Sequence, residues 1–102
     1  MTLPKCKPAR DPLYLAFVRQ HDCVDCHWPY TPPFNLVEAH HTKTGGMATK
    51  CSDYLAVPLC GYYARGCHNK ADKRKDTPER YLKEIARLQA EWVKKGGVIK
   101  DG

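Results

Sequence analysis

The order of apolar and polar positions divides the chain into a short helix, a proline-rich loop, a strand-bearing middle and an amphipathic tail. Leu13 and Phe17, flanked by Tyr14 and Val18, recur at helical spacing. Asp11 stands where an N-cap belongs, and Pro12 suits the first helical position, where its missing N–H costs nothing. The helix runs out near Arg19 and Gln20. From His21 to Asn35 the periodicity is lost, and Pro29, Pro32 and Pro33 leave no room for a regular element. A loop of this kind needs something to hold its shape. Leu36 to Thr42 predicts a strand, interrupted at Gly45-Gly46, and Tyr54 to Val57 predicts a second one ended by Pro58. Helix is then expected from Leu59 to about Lys70, weakened by Gly61 and Gly66. The tail is the clearest element. Asp76, Thr77, Pro78 and Glu79 supply an N-cap, a first-turn proline and a capping-box glutamate. Tyr81, Ile85, Leu88 and Trp92 then form one apolar stripe that ends before Gly96-Gly97. Such a stripe packs on its own domain or docks a partner.

Length narrows the architecture. At 102 residues the chain has room for one domain with a modest core, and it contains no internal repeat. No apolar run approaches the roughly 18 residues of a membrane span, so no membrane association is expected. The start, Met1-Thr2-Leu3-Pro4-Lys5-Cys6, lacks the apolar h-region of an export signal. A cytoplasmic location follows as the expectation, and there disulfides are rare. The six cysteines and five histidines therefore point to metal rather than to a disulfide framework.

Cys23-Val24-Asp25-Cys26 has the spacing that lets two thiolates reach one tetrahedral ion from a tight turn. A thiol-redox pair would open a helix after a strand, whereas this pair follows a helix and precedes a loop. Cys60 and Cys67, with six residues between them, are the matching pair. Together the four predict a structural zinc that staples the 21–35 loop to the middle of the chain. Alternatively, some of them are buried free thiols, and His21, His27 or Cys6 could substitute as a ligand. Cys6 and Cys51 have no partner at ligand spacing and are expected free.

Charge adds a partner class. Lysine and arginine exceed aspartate and glutamate by 17 to 11, a net +6, which favours an anionic partner. Arg65, Lys70, Lys73, Arg74 and Lys75 face a single acid, Asp72, in one short stretch that also contains His68. These residues, with Lys50 and Lys43 near the glycine loop, are the candidates for phosphate contacts that depend on salt and little on sequence. The histidines differ among themselves. His21 and His27 flank the first cysteine pair and are expected to face solvent or to support the zinc ligands. His40 and His41 are adjacent, so they enter one site only if their strand ends or twists there.

The middle of the chain resembles a known family. Glu38-Ala39-His40-His41, Gly45-Gly46-Met47, Lys50-Cys51-Ser52-Asp53-Tyr54, Val57-Pro58-Leu59-Cys60 and Gly66-Cys67-His68-Asn69-Lys70 look like the HNH, or ββα-metal (His-Me finger), nucleases. They are most similar to small phage and prophage HNH proteins of the RecA-dependent recombination nuclease type. Tyr14 to Arg19 and the first cysteine pair fit the same group, so the resemblance spans roughly Pro12 to Lys75. It implies an α+β fold, a zinc-stapled ββα-metal finger with an N-terminal helix and a C-terminal amphipathic helix. The corresponding division is an extension at 1–10, the finger at 11–75, and the helix and tail at 76–102.

The resemblance also assigns roles. It makes His41 the general base, His40 and His68 ligands of a catalytic divalent ion (Mg2+, Mn2+ or Zn2+), and Asp53 the residue that orients the base. Asparagine is commoner at that last position in the family. The implied activity is hydrolysis of DNA phosphodiester bonds, by nicking or cutting with little sequence reading. RNA stays open as a substrate, and a recombination protein is a possible partner. The implied setting is phage DNA processing in the host cytoplasm. The chain departs from the family pattern in the long Cys60–Cys67 spacing, filled partly by Tyr62 and Tyr63. Two alternatives stand beside the nuclease: a second structural zinc at the His40-His41 pair, and a non-catalytic zinc-stabilised module that binds nucleic acid or a host protein.

Overall fold

A computed structural model describes residues 10–44, 49–50, 52–74 and 77–99, with 43, 44, 49 and 50 described by their backbone alone. Helix α1 is Pro12–Val18. Asp11 caps it as the sequence predicts, its side chain accepting from the Tyr14 N–H at 3.2 Å. Strands β1 (Val37–His40) and β4 (Val57–Cys60) pair antiparallel, with Val37 opposite Cys60 and His40 opposite Val57. Strands β2 (Lys43–Thr44) and β3 (Thr49–Lys50) form a second antiparallel pair between them in the chain. Helix α2 is Cys67–Arg74, and α3 is Leu82–Lys94, preceded by a 3₁₀ turn at Pro78–Tyr81. The protein is a small α+β fold.

The core forms where α1, β4 and α3 meet. Tyr14, Phe17 and Val18 of α1 pack with Val57 and Leu59 of β4 and with Ile85 and Leu88 of α3. Tyr14 meets Tyr54 and Trp92 edge-on, at centroid separations of 4.9 and 5.5 Å. The tail stripe packs on its own domain: Tyr81, Ile85 and Leu88 are buried, and Trp92 is partly buried against the same cluster. Full burial of Leu88 alone contributes about 1.5–3 kcal/mol. Asp76, the expected cap of this helix, lies outside the described residues, and a 3₁₀ turn at Pro78–Tyr81 leads into α3. Among the described residues no helix is long and apolar enough to cross a membrane.

The middle departs from the predicted pattern in two places. Tyr54 and Leu55 lie in a 3₁₀ turn (Asp53–Leu55) capped by the Ser52 hydroxyl, not in a strand. The strand comes three residues later and contains Pro58, which was expected to end it. The Pro58 carbonyl points away from β1 and accepts from the Val24 N–H at 3.0 Å. Its nitrogen lies on that same outer edge, so no sheet hydrogen bond is lost. The predicted helix from Leu59 is likewise delayed. Gly61 O accepts from both Ala64 N and Gly66 N at 3.0 Å, and Gly66 has φ +70°. That left-handed residue closes a tight turn, and α2 begins only at Cys67.

Candidate functional site

Two groups of metal-ligating side chains come together among the described residues, and α2 contributes to both. The first brings together Cys23, Cys26, Cys60 and Cys67, the four cysteines predicted from spacing. Their sulfurs lie within 4.8 Å of one another, with 3.6 Å between Cys26 and Cys60 Sγ. Four sulfurs at about 2.3 Å around a tetrahedral ion stand about 3.8 Å apart, so the cluster is compatible with a structural metal. The backbone is arranged to support thiolates. Cys26 N–H points at Cys23 Sγ at 3.5 Å, Trp28 N–H donates to Cys26, and the N–H groups of Cys67 and Arg65 donate to Cys60. Burial raises the Cys60 thiol, but those donors outweigh it and bring it down to about 7. Burial and the neighbouring sulfurs push Cys67 up, and burial pushes Cys26 up. Four sulfurs this close cannot all ionise unless a cation shares their charge.

The loop that carries the first pair turns sharply at His27, which has φ +63° and is exposed. The turn closes by Cys23 N–H to Trp28 O and His27 N–H to Cys23 O, both 2.9 Å. His27 faces solvent as expected. His21 instead ties helices together: Nδ1 lies 2.9 Å from Phe17 O, and Nε2 lies 3.2 Å from Glu91 Oε2 on α3. Neither histidine joins the sulfur cluster. Cys6 and Cys51 lie outside the described residues.

The second group is His40, His68 and Asp72, again with ligand atoms within 4.8 Å of one another. His40 ends β1 fully buried. His68 and Asp72 sit one turn apart on α2 and share a face. Asp72 lies 3.5 Å from His40 Nδ1 and 3.6 Å from His68 Nε2. These distances are too long for good hydrogen bonds and suit three groups around a common ion. His68 Nδ1 meets Glu38 Oε1 at 2.7 Å, which fixes the ring and leaves Nε2 toward Asp72. A carboxylate behind a histidine is the usual support for a metal-binding imidazole. The Glu38 side chain can lie there only because residue 61 is glycine. A Cβ on Gly61 would stand 2.8 Å from Glu38 Cδ and 2.9 Å from both of its carboxylate oxygens. Gly61→Ala is therefore expected to push Glu38 off His68, at little cost to stability because that side chain can swing into solvent. Calorimetric titration with Mn2+ should read about a 10- to 100-fold weaker affinity at this cluster.

His41 follows β1's last residue, so the adjacent histidines do separate: His40 turns inward, and His41 turns toward Asp53. His41 Nε2 lies 2.8 Å from Asp53 Oδ1. Asp53 is buried and saturated with donors: the Asp11 N–H reaches Oδ2 at 2.7 Å, and Arg10 Nη1 reaches Oδ1 at 3.2 Å. Burial alone would raise this carboxyl, but Asp11 N–H, His41 and Arg10 together hold it below the ordinary carboxylate range. Asp11 is thus both helix cap and donor, and its own carboxylate accepts from Tyr54 Oη at 2.7 Å.

Arg65, Lys70, Lys73 and Arg74 are exposed. At 100° per residue, Lys70 and Arg74 fall on the edge of α2 away from His68 and Asp72, and Lys73 falls nearer to that pair. Arg74 Nη2 lies 3.6 Å from Asp25 Oδ2, in the loop between the first two cysteines. Lys75 lies outside the described residues, and for Lys43 and Lys50 only the backbone is described. Four contributors escaped the sequence: Asp72, Glu38, Asp11 and Arg10. Of these, Asp72 carries a signal in its i, i+4 spacing from His68, whereas Glu38 stands only within the His40-His41 motif and Asp11 only as a helix cap. The chain matches no protein-family profile, and no curated protein or solved structure is similar enough to register as a match.

Proposed function

We propose that the protein is a metal-dependent HNH-type endonuclease that hydrolyses phosphodiester bonds, with DNA as the substrate. The observation that carries this reading is the His41–Asp53 contact of 2.8 Å at the end of the strand that also delivers buried His40. An imidazole backed by a buried carboxylate next to a three-ligand metal cluster is the equipment of hydrolysis. The resemblance of the 12–75 sequence to the HNH group points the same way, and so does the chain order of β1, β4 and α2.

In this reading Cys23, Cys26, Cys60 and Cys67 hold a structural zinc. His40, His68 and Asp72 would hold a divalent ion, which supplies charge stabilisation at the leaving 3′ oxygen. Asp53 accepts the Nε2 proton of His41 and so leaves Nδ1 unprotonated. Nδ1 takes a proton from water as the water oxygen attacks phosphorus and the bond to the 3′ oxygen breaks. The basic residues of 65–75 contribute phosphate contacts that weaken as salt rises. Phage recombination or DNA processing is the setting this reading favours.

The test is a plasmid assay. Supercoiled DNA incubated with the protein and Mg2+ or Mn2+ should be nicked or linearised, and His41→Ala should be inert beside it. If neither protein cuts, a non-catalytic zinc module takes the nuclease's place, and if both cut equally, the assignment of His41 fails.

A further inference from the structure

We infer that Tyr62 and Tyr63 form a stacking platform for unpaired nucleobases, so that the site receives single-stranded or locally opened nucleic acid. The inference rests on the nucleic-acid reading above and adds the state of the strand. Both rings are solvent-facing, 75% and 85% exposed, and they meet edge to face with centroids 5.5 Å apart. Neither contributes to the core, although burying an aromatic ring is one of the larger gains available to a small fold. The loop that presents them is nonetheless tightly built. Cys60 and Cys67, both in the sulfur cluster, bracket it, and Gly61 O accepts two N–H groups across the turn. The rings are therefore held out by an ordered backbone, and little is lost in ordering them when a ligand binds.

Their position and charge identify the ligand. Gly61, the residue before Tyr62, packs under the Glu38 carboxylate that contacts His68, so the turn that carries the tyrosines starts beside the His40–His68–Asp72 cluster. Arg65 stands exposed in the same turn, and Lys73 is exposed on α2 nearer to His68 and Asp72 than Lys70 or Arg74. Of the acids nearby, Glu38 contacts His68 and Asp25 contacts Arg74. Exposed aromatic rings in one turn with an exposed arginine match the two halves of a single strand, bases to stack and phosphates to neutralise. A closed duplex keeps its base faces covered and offers these rings nothing.

The test is binding without cleavage. Fluorescence anisotropy is measured on the full chain carrying His41→Ala, with no added divalent ion. The probes are labelled 20-nucleotide oligothymidylate, oligouridylate and a 20-base-pair DNA duplex. Tyr62→Ala and Tyr63→Ala are each expected to weaken single-strand binding about fivefold or more, on whichever of the two strands is the ligand. Duplex affinity should change less than about twofold, and the Tyr→Phe variants should bind like the parent, because the ring and not the hydroxyl stacks. The slope of affinity against salt should stay unchanged, since a ring releases no counterion. Unchanged single-strand affinity in the alanine variants overturns the inference, as does an equal loss on duplex. Self-association of the parent that is abolished by Tyr→Ala in sedimentation also overturns it, because the rings then cover a second copy. Tyrosine-dependent binding by a protein that cannot nick plasmid keeps this inference and removes the nuclease. Nicking with tyrosine-independent binding does the reverse.

Discussion

Changing Cys23 and Cys26 together to serine is expected to abolish the folded state rather than trim its stability. A domain of this size has a total stability of about 5–15 kcal/mol. Structural zinc in small cysteine-rich domains supplies an apparent binding free energy of about 10–16 kcal/mol at neutral pH. The segment that the metal would hold has little else. Residues 21–35 contain no helix or strand. They are tied down by a few hydrogen bonds, among them Val24 N–H to Pro58 O, Tyr30 N–H to Asp22 and Asn35 to Arg19 O. Yet this loop carries Cys23 into the core, fully buried beside Leu59 and Cys60. Without the ion, four sulfurs would be left facing one another with only part of their charge shared. Elemental analysis should find at least one zinc per wild-type chain and none in the unfolded double variant. The near-ultraviolet circular dichroism of the packed tyrosines and tryptophans should vanish with it. A double variant that folds normally without metal would remove the structural-metal reading.

That cluster was legible because ligand spacing is a local property: a two-residue gap between Cys23 and Cys26 can be read without a fold. The same holds for α1, whose cap at Asp11 and apolar spacing are local, and for the Tyr81–Leu88 stripe. The middle of the chain was harder because its conformation is decided elsewhere. Tyr54 and Leu55 are as apolar as a strand requires, but Ser52 caps a turn there, and Tyr54 is drawn to Asp11 and Tyr14 across the core. Pro58 is tolerated because β4 has only one paired edge, a property of topology that no local window shows. Asp72 looked like the lone acid of a basic run, and only the turn of α2 reveals that it shares a face with His68. The tie from Asp53 to Arg10 and Asp11 spans more than forty residues and left no mark in any local window.

The proposed base and its carboxylate, His41 and Asp53, yield the second large effect. His41→Ala is expected to cut the plasmid-nicking rate by about 10²- to 10⁴-fold, the usual contribution of a positioned general base. Asp53→Asn is the more discriminating change, because it is nearly isosteric and looks like a neutral swap. Here it should not be. Asp53 offers Oδ1 to His41 and Arg10 and Oδ2 to the Asp11 N–H, so both oxygens accept. An amide has one acceptor. If its oxygen faces His41, its NH2 group meets the Asp11 N–H, and if it turns round, two donors face each other at His41. About 10- to 100-fold of the rate should be lost, with His41 free to adopt the wrong tautomer. Stability carries an independent signature. The Asp53 carboxyl lies below its ordinary value in the folded protein, so its contribution is fully present above the unfolded value of about 3.9 and is lost as pH falls through the folded one. Denaturation of wild type and Asp53→Asn should therefore differ by a constant amount from neutral pH down to about pH 5. The two curves should converge only in stronger acid. If Asp53→Asn nicks DNA as fast as wild type, with the same stability at neutral pH, then Asp53 neither orients His41 nor anchors α1.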